Sequence, residues 1–600
     1  MSPKMARARQ AVANLVVRRP VTALSCRTEH RMPLARIAIG IAAILAGSLT
    51  AVAVRAAPAV EAEHGMVVSA QHEASAAGLR ILEAGGNAVD AAVAVAYALA
   101  VVDPCCGNIG GGGYMVIHLA GTSENEADKF IDFRETAPQA AAAGMYLDPA
   151  GKPLPDRSLY GWGAVGVPGT VLGLEHARSA YGRLARDAVM APAIALAHDG
   201  FVLGPADAAL LNEKSERLSQ DPAAARVFLP PGGGSWSAGD RLLQPDFAET
   251  LALIARQGSD AFYRGPIAAA LAEASAAGGG ILTAQDLAGY RVVDAPPVTC
   301  RYRGAVIVSS APSSAGGTIL CELLGILEAW DIRGLGFRSP ASIHLLVEAM
   351  RHAYLDRNTY LGDPAFVGNP LEFLLSPAHA AAIRAAIAPD QATASASLRA
   401  GTPPHERSET THFSVVDRDG NAVALTYTLN GNFGAGVMAP GTGFLLNDEM
   451  DDFSVKPGAP NLFGLVQSER NAIAPGKRPL SSIAPTLVER DGRLALVLGS
   501  PGGSRIITSV LETVMNVLDY DMSPQAAVEA PRVHQQWLPD TVFYERAGLS
   551  SDTIAELTRM GYTLAERAPW GAVELIAIGP DGHLTGASDP RRPAGAAVGY

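Results

Sequence analysis

Apolar positions recur at helical spacing across residues 73–102, in an Ala-rich pattern that breaks once, at Gly85-Gly86-Asn87. A glycine that turns left-handed ends one helix there and Ala88 starts another, so a helical hairpin is predicted. It runs into Gly110-Gly111-Gly112-Gly113, a strand-like run over 114–119 and a second one ending at Ile131-Asp132-Phe133-Arg134. Helical periodicity then dominates from 169 to 388, for instance over 245–256, 266–276 and 341–355, enough to cover a sheet. Between 389 and 409 the periodicity is lost in Ala, Ser, Thr, Pro and charged residues, which predicts an exposed, mobile segment and the main boundary of the chain.

Immediately afterwards, two β-prone runs, 410–416 and 422–429, flank Asp417-Arg418-Asp419-Gly420-Asn421 and predict a hairpin. A further strand over 494–499 enters Ser500-Pro501-Gly502-Gly503-Ser504 and then an apolar helix over 505–518. The glycine run at 110–113 follows a helix and opens a strand, the reverse of a phosphate cradle, so it reads as tight backbone packing. At the other end of the chain, Arg31 and Arg36 precede an apolar run over 37–54 and the small residues Ala57-Pro58-Ala59. This is the pattern of a signal peptide, with an uncleaved membrane anchor as the alternative and either Met1 or Met32 as the start.

With 48% apolar and 18% charged residues the chain is globular, and a net charge of −12 with no basic block excludes a nucleic-acid footprint. The five cysteines, Cys26, Cys105, Cys106, Cys300 and Cys321, show no zinc spacing and are too few for a disulfide scaffold. They read as buried thiols, with a vicinal Cys105–Cys106 bridge as the lesser alternative.

Three constellations carry chemistry. Thr410 stands where the aperiodic segment becomes a strand, the position of a nucleophile whose own α-amino group is released by chain cleavage and serves as base. Gly502 and Gly503 lie between a strand and a helix N-terminus, where backbone N–H groups can stabilise an oxyanion. The run Asn447-Asp448-Glu449-Met450-Asp451-Asp452-Phe453 either holds a cationic group of a substrate or is a solvated charged turn. His412 reads as a structural strand residue. Ser500 lacks the glycine two positions earlier that a nucleophile elbow needs.

Together these segments resemble the γ-glutamyltransferase family of N-terminal-nucleophile hydrolases. The matching strings are Asp132-Phe133-Arg134-Glu135, Thr410 to Asp417, Thr426-Tyr427-Thr428-Leu429-Asn430, Asn447 to Phe453, Lys477-Arg478-Pro479-Leu480-Ser481-Ser482, Gly499 to Arg505 and Gly586 to Arg591, in family order. The resemblance implies an α/β (α+β) fold, a four-layer αββα sandwich built from two autocleavage fragments. It implies an N-terminal extension and signal peptide over 1–59, a large subunit over 60–409 and a small catalytic subunit over 410–600, with cleavage between Glu409 and Thr410. Thr410 is then the nucleophile, Thr428 tunes it, and Gly502 and Gly503 form the oxyanion hole. Arg134, Ser481 and Ser482 take the α-carboxylate of a γ-glutamyl group, and Asn430, Glu449 and Asp452 its α-ammonium.

The implied reaction is γ-glutamyl transfer from glutathione and related compounds to water or to amino acid or dipeptide acceptors, in a secreted or periplasmic protein without metal or organic cofactor. Residues 456–464 resemble the family's lid loop, with Phe463 where several members carry Tyr. A glutaryl or cephalosporin acylase of the same family is the alternative activity, and an exported binding protein that never matures is the alternative class.

Overall fold

The computed structural model describes residues 58–122, 127–154, 156–398 and 410–600. The predicted signal peptide and Glu409 lie outside the described residues, as does Cys26.

Fourteen strands form two seven-stranded sheets. In chain order they are β1 (Val60–Ala62), β2 (Met66–Ser69), β3 (Gly112–His118), β4 (Asp128–Asp132), β5 (Val293–Ala295), β6 (Val298–Tyr302), β7 (Ala305–Ser309), β8 (Thr411–Val416), β9 (Ala422–Thr428), β10 (Thr486–Arg490), β11 (Arg493–Gly499), β12 (Glu574–Ile578), β13 (Leu584–Ser588) and β14 (Ala596–Gly599). One sheet runs β1-β13-β12-β11-β10-β7-β6 and the other β14-β2-β8-β9-β3-β4-β5. Each sheet draws strands from both sides of residue 410, so neither half of the chain completes a sheet alone.

The period-two pattern of the strands explains the layering. In β8, Phe413 and Val415 join the core beneath one helical layer, and Val416 joins the core shared with the other sheet. In β3, Met115 and Ile117 face the helices, while Tyr114 and Val116 face the second sheet. The first helical layer holds α1 (His72–Glu83), α2 (Ala88–Val102), α3 (Thr170–Tyr181), α4 (Arg186–Asp199) and α5 (Pro245–Gln257). The other sheet is covered by α6 (Gly316–Leu327), α7 (Pro340–Tyr360), α8 (Pro377–Ala386) and α9 (Ile506–Leu518). The result is the expected αββα sandwich.

Local chemistry sets the joints. Asn87 caps α2, accepting from the amides of Val89 and Asp90, while Asp90 returns a bond to the Asn87 amide. Every residue of α2 is buried, which is why its apolar pattern runs all the way round. The predicted hairpin is β8–β9, paired from Thr411↔Tyr427 to Val416↔Ala422. In its turn, Asp417 accepts from the amides of Asp419 and Asn421 and also from Ala88, tying the hairpin to the start of α2. Gly111 permits the close approach of β9: a Cβ there would lie 1.9 Å from the carbonyl oxygen of Thr428. The packing reading of 110–113 therefore holds.

Two expectations are corrected. Residues 389–398 are largely exposed, as expected, but are anchored at Ser395, which is fully buried and whose hydroxyl donates to the carbonyl of Trp537 at 2.6 Å. The composition hid this anchor because its contacts are to residues far along the chain. The four described cysteines are not thiols either, since Cys105–Cys106, the lesser alternative, and Cys300–Cys321 are disulfides. The second pair joins β6 to α6, with Cα atoms 5.7 Å apart, a proximity made by strand–helix packing that no spacing rule could reveal.

Candidate active site

Thr410 directly precedes β8, one residue before the strand proper, and is 3% exposed. Its hydroxyl donates to the hydroxyl of Thr428, at the end of β9, over 3.3 Å. The Thr428 oxygen also accepts from the amide of Asn430 at 2.8 Å, so two donors orient it. The Thr410 carbonyl accepts from Arg592 at 3.4 Å. Arg592 also lies 3.4 Å from Asp103 and 3.6 Å from Sγ of Cys106, placing the vicinal disulfide beside the Thr410 backbone.

Thr410 and Thr428 open onto a cavity of about 20 Å³. Arg134, Asn430, Asp452, Ser481, Ser482 and Gly503 line it too, so residues spread over most of the chain converge there. The cavity holds roughly one water, not a substrate. Phe463 and Leu465 form part of its wall. Gly502 instead lines an adjoining cleft of about 1090 Å³, together with Asp448, Arg505, Arg567, Trp570 and Arg592. Gly502 and Gly503 have φ of +139° and +54°, conformations that admit glycine and strain other residues. Among the described residues neither amide N–H has a hydrogen-bond partner, which leaves both able to meet an oxyanion.

The acidic run is buried rather than solvated. Arg134, 1% exposed, pairs with Glu449 at 2.7 Å, hydrogen-bonds Asp452, and lies 3.5 Å from Glu135. Its Nε–H donates to the carbonyl of Pro479 at 3.3 Å. Asn461, Gln467 and Asn471 hold Asp452 in place through its carboxylate and carbonyl. The Asn430 side chain donates to the carbonyl of Asp448 at 3.0 Å.

Three carboxylates around one guanidinium leave a surplus of negative charge. Burial pushes Glu135 up to about 8 and Glu449 well above the usual carboxylate range, and the Arg134 charge opposes both shifts. Neither Glu135 nor Glu449 has a hydrogen bond to either carboxylate oxygen. A pocket that must hold protons to stay neutral is suited to an ammonium.

Sequence reasoning missed Arg357 and Arg592. Arg357 on α7 is buried, lines the small cavity, and donates to the Ser482 hydroxyl at 3.1 Å. Burial lowers it to about 10. Its signal, a cation on the core-facing side of a helix, is visible only once the helix has been placed. His412 fits its structural reading: between the sheets it meets the hydroxyls of Thr426 at 2.7 Å and Ser414 at 3.2 Å, and burial pushes it down to about 3. An imidazole so hard to protonate is a poor general base.

The γ-glutamyltranspeptidase family model matches residues 74–599. The chain belongs to the γ-glutamyltranspeptidase family. It is 51% identical over 550 residues to the glutathione hydrolase proenzyme of Pseudomonas sp. (strain A14), covering 90% of this chain and 95% of that relative. With the glutathione hydrolase proenzyme of Escherichia coli (strain K12) it shares 44% identity over 576 residues, 94% of this chain and 98% of the relative. Among solved structures, the cephalosporin acylase from Bacillus halodurans superposes with a TM-score of 0.78 at 27% identity, covering 91% of this chain and 97% of that one. The two-sheet frame is thus shared by family members of different acyl preference, and the pocket lining must decide between them.

The surplus acid gives a pH prediction for this member of the family. An α-ammonium entering beside these carboxylates would favour their ionised forms, so donor binding there would release protons. KM for a γ-glutamyl donor should therefore fall as pH rises towards about 8, where Glu135 titrates in the free enzyme, and level off above it. Steady-state kinetics on wild type and Glu135→Gln check this, with a flattened profile expected for the variant.

Proposed function

We infer that this chain is an exported, self-cleaving γ-glutamyltransferase acting on glutathione and related γ-glutamyl amides. The observation that carries the reading is one buried cavity shared by the Thr410–Thr428 hydroxyl pair, Gly503, and the Arg134–Asp452 charge pair. A nucleophile and a reader of a zwitterion stand within one substrate length.

Maturation begins with attack of the Thr410 hydroxyl on the carbonyl carbon of Glu409. The C–O bond forms, the peptide C–N bond breaks, and the Thr410 nitrogen takes the proton as an amine. Water then hydrolyses the ester, leaving a large subunit that ends at Glu409 and a small one that starts at Thr410. Because both sheets mix strands from 60–409 and 410–600, the fragments remain one body.

In the mature enzyme the Thr410 amine removes the hydroxyl proton as Oγ1 bonds to the γ-carbonyl carbon. The N–H groups of Gly502 and Gly503 take the oxyanion, and the amine's proton passes to the leaving nitrogen as the amide bond breaks. Water or an amine acceptor then takes the glutamyl group from Thr410. Arg134, Ser481 and Ser482 receive the α-carboxylate, while Asn430, Glu449 and Asp452 receive the α-ammonium. The substrate's two charges thereby replace the contacts that Arg134 now makes with Glu449 and Asp452. Since the cavity is only water-sized, residues 456–464 must lift for a donor to enter, carrying Phe463 with them. The adjoining cleft, with Arg505, Arg567 and Arg592 on its walls, suits the carboxylate of a dipeptide leaving group or acceptor.

Two disulfides and the predicted signal peptide support export to an oxidising compartment. Among the described residues no helix is long and apolar enough to cross a membrane.

The test compares kcat/KM for γ-glutamyl and glutaryl anilides, which differ only in the α-amino group. A preference for γ-glutamyl of roughly 10³ or more is expected, because the glutaryl compound leaves the acidic pocket unpaired. Comparable rates would move the protein to the acylase branch.

A further inference from the structure

Outside the active site, α6, α7 and α8 bring together three side chains that no sequence spacing connects. Glu322 on α6 has a fully buried carboxylate, and neither oxygen makes a hydrogen bond. Asp356 on α7 and His379 on α8 close over it, each about one-eighth exposed. Nε2 of His379 lies 2.7 Å from Oδ2 of Asp356 and 3.5 Å from Oε1 of Glu322. The imidazole is held from outside by the ring of Phe373, 4.3 Å between centroids, and its backbone amide donates to the Ser376 cap of α8.

Burying two carboxylates side by side is unfavourable unless a cation joins them. Among the described residues no lysine or arginine nitrogen lies within 4.0 Å of either carboxylate. Burial and the neighbouring Asp356 charge raise Glu322 well above the ordinary carboxylate range. One helical turn before Asp356, Nε2 of His352 is also buried without a hydrogen bond. The Glu322 carboxylate on α6 and Nε2 of His352 on α7 are thus both left without a hydrogen bond.

We propose that Glu322, Asp356 and His379 form a divalent-metal site of the zinc type that staples α6, α7 and α8 together. Zinc takes carboxylate oxygen and imidazole nitrogen at about 2.0–2.2 Å in a tetrahedron, which sets its donor atoms roughly 3.4 Å apart. The ligand atoms here all lie within 4.8 Å of one another, so small side-chain adjustments bring them to that geometry. One nitrogen with two carboxylate oxygens suits a transition-metal dication better than calcium or magnesium, which favour all-oxygen sites. The partly exposed Asp356 and His379 leave an entry path and a position for water. Asp356 is followed directly by Arg357, whose guanidinium reaches Ser482 in the candidate glutamyl pocket, so the staple fixes the helix that presents that arginine.

The test is calorimetric titration of the untagged, disulfide-intact full chain with Zn²⁺ after chelator treatment, alongside thermal unfolding with and without the metal. One equivalent per chain, with a higher Tm in zinc, is expected. Glu322→Gln and His379→Ala should each weaken zinc binding by about 100-fold or more. Both variants should still hydrolyse a γ-glutamyl anilide, which shows that they fold. Absence of stoichiometric zinc binding in wild type would overturn the proposal and leave a proton shared by the two carboxylates. So would wild-type zinc affinity in both variants, or loss of the binding in His118→Ala instead, since His118, Asp128 and Glu489 form a second cluster of metal-ligating groups.

Discussion

Thr410→Ala should yield a single uncleaved chain and lose at least about 10⁴-fold in kcat/KM, because in the proposed mechanism one hydroxyl serves both the cleavage and the turnover. The two losses separate experimentally. Co-expression of residues 60–409 with a separate 410–600 fragment carrying Thr410→Ala bypasses cleavage and should still be inactive. Thr410→Ser keeps an attacking oxygen but drops the methyl that restricts χ1, so cleavage should persist at a reduced rate. The Thr410 hydroxyl donates to Thr428, and Thr428→Val, which removes that acceptor, should slow both steps without unfolding β9. A denaturing gel and anilide kinetics on the same preparations check all four proteins. Cleavage of Thr410→Ala at the same bond would assign the nucleophile elsewhere.

Removing Arg134 should cost kcat/KM for a γ-glutamyl donor by roughly 10³-fold or more. The side chain is the charge partner of Glu449 and Asp452, and its loss leaves both buried carboxylates without their cation. It also removes the group assigned to the α-carboxylate. Arg134→Lys should recover little, since an ammonium cannot reproduce the two-pronged contact that reaches Glu449 through one nitrogen and Asp452 through the other. Asp452→Asn separates the two ends of the zwitterion. It should weaken γ-glutamyl anilide while narrowing the gap to the glutaryl compound, whereas Arg134→Lys should weaken both. The gap between the two substrates, measured in each variant, is the readout that a loss of folding would not reproduce.

The frame was legible because its signals are local. The break at Gly85-Gly86-Asn87, the Asp417 turn and the loop from Gly499 to α9 each announce an element boundary through backbone requirements of a few residues. The layering followed from the family resemblance alone, and the alternation of Phe413 and Val415 with His412 and Ser414 became visible only in the structure. What stayed hidden depends on residues brought together from afar. Cys300 and Cys321 meet only after β6 packs on α6. Ser395 docks under Trp537 although its neighbours in sequence look unstructured. Arg357 enters the cavity from α7 among residues that otherwise read as helix core. The candidate site was readable as a set of motifs, yet the direct contact of Arg134 with Glu449 and Asp452 was not. The family resemblance assigned those residues to opposite ends of a substrate and carried no information about how they meet without one.

The central claim is that a glutamyl group passes through an ester on Thr410. The most direct measurement is peptide-resolved mass spectrometry of the enzyme acid-quenched during turnover of a slow γ-glutamyl anilide. The account predicts a small subunit beginning at Thr410 that carries one glutamyl residue on its first amino acid, and an unmodified large subunit. A turning-over enzyme whose glutamyl adduct lies on another residue, or whose chain is never opened before Thr410, would contradict it.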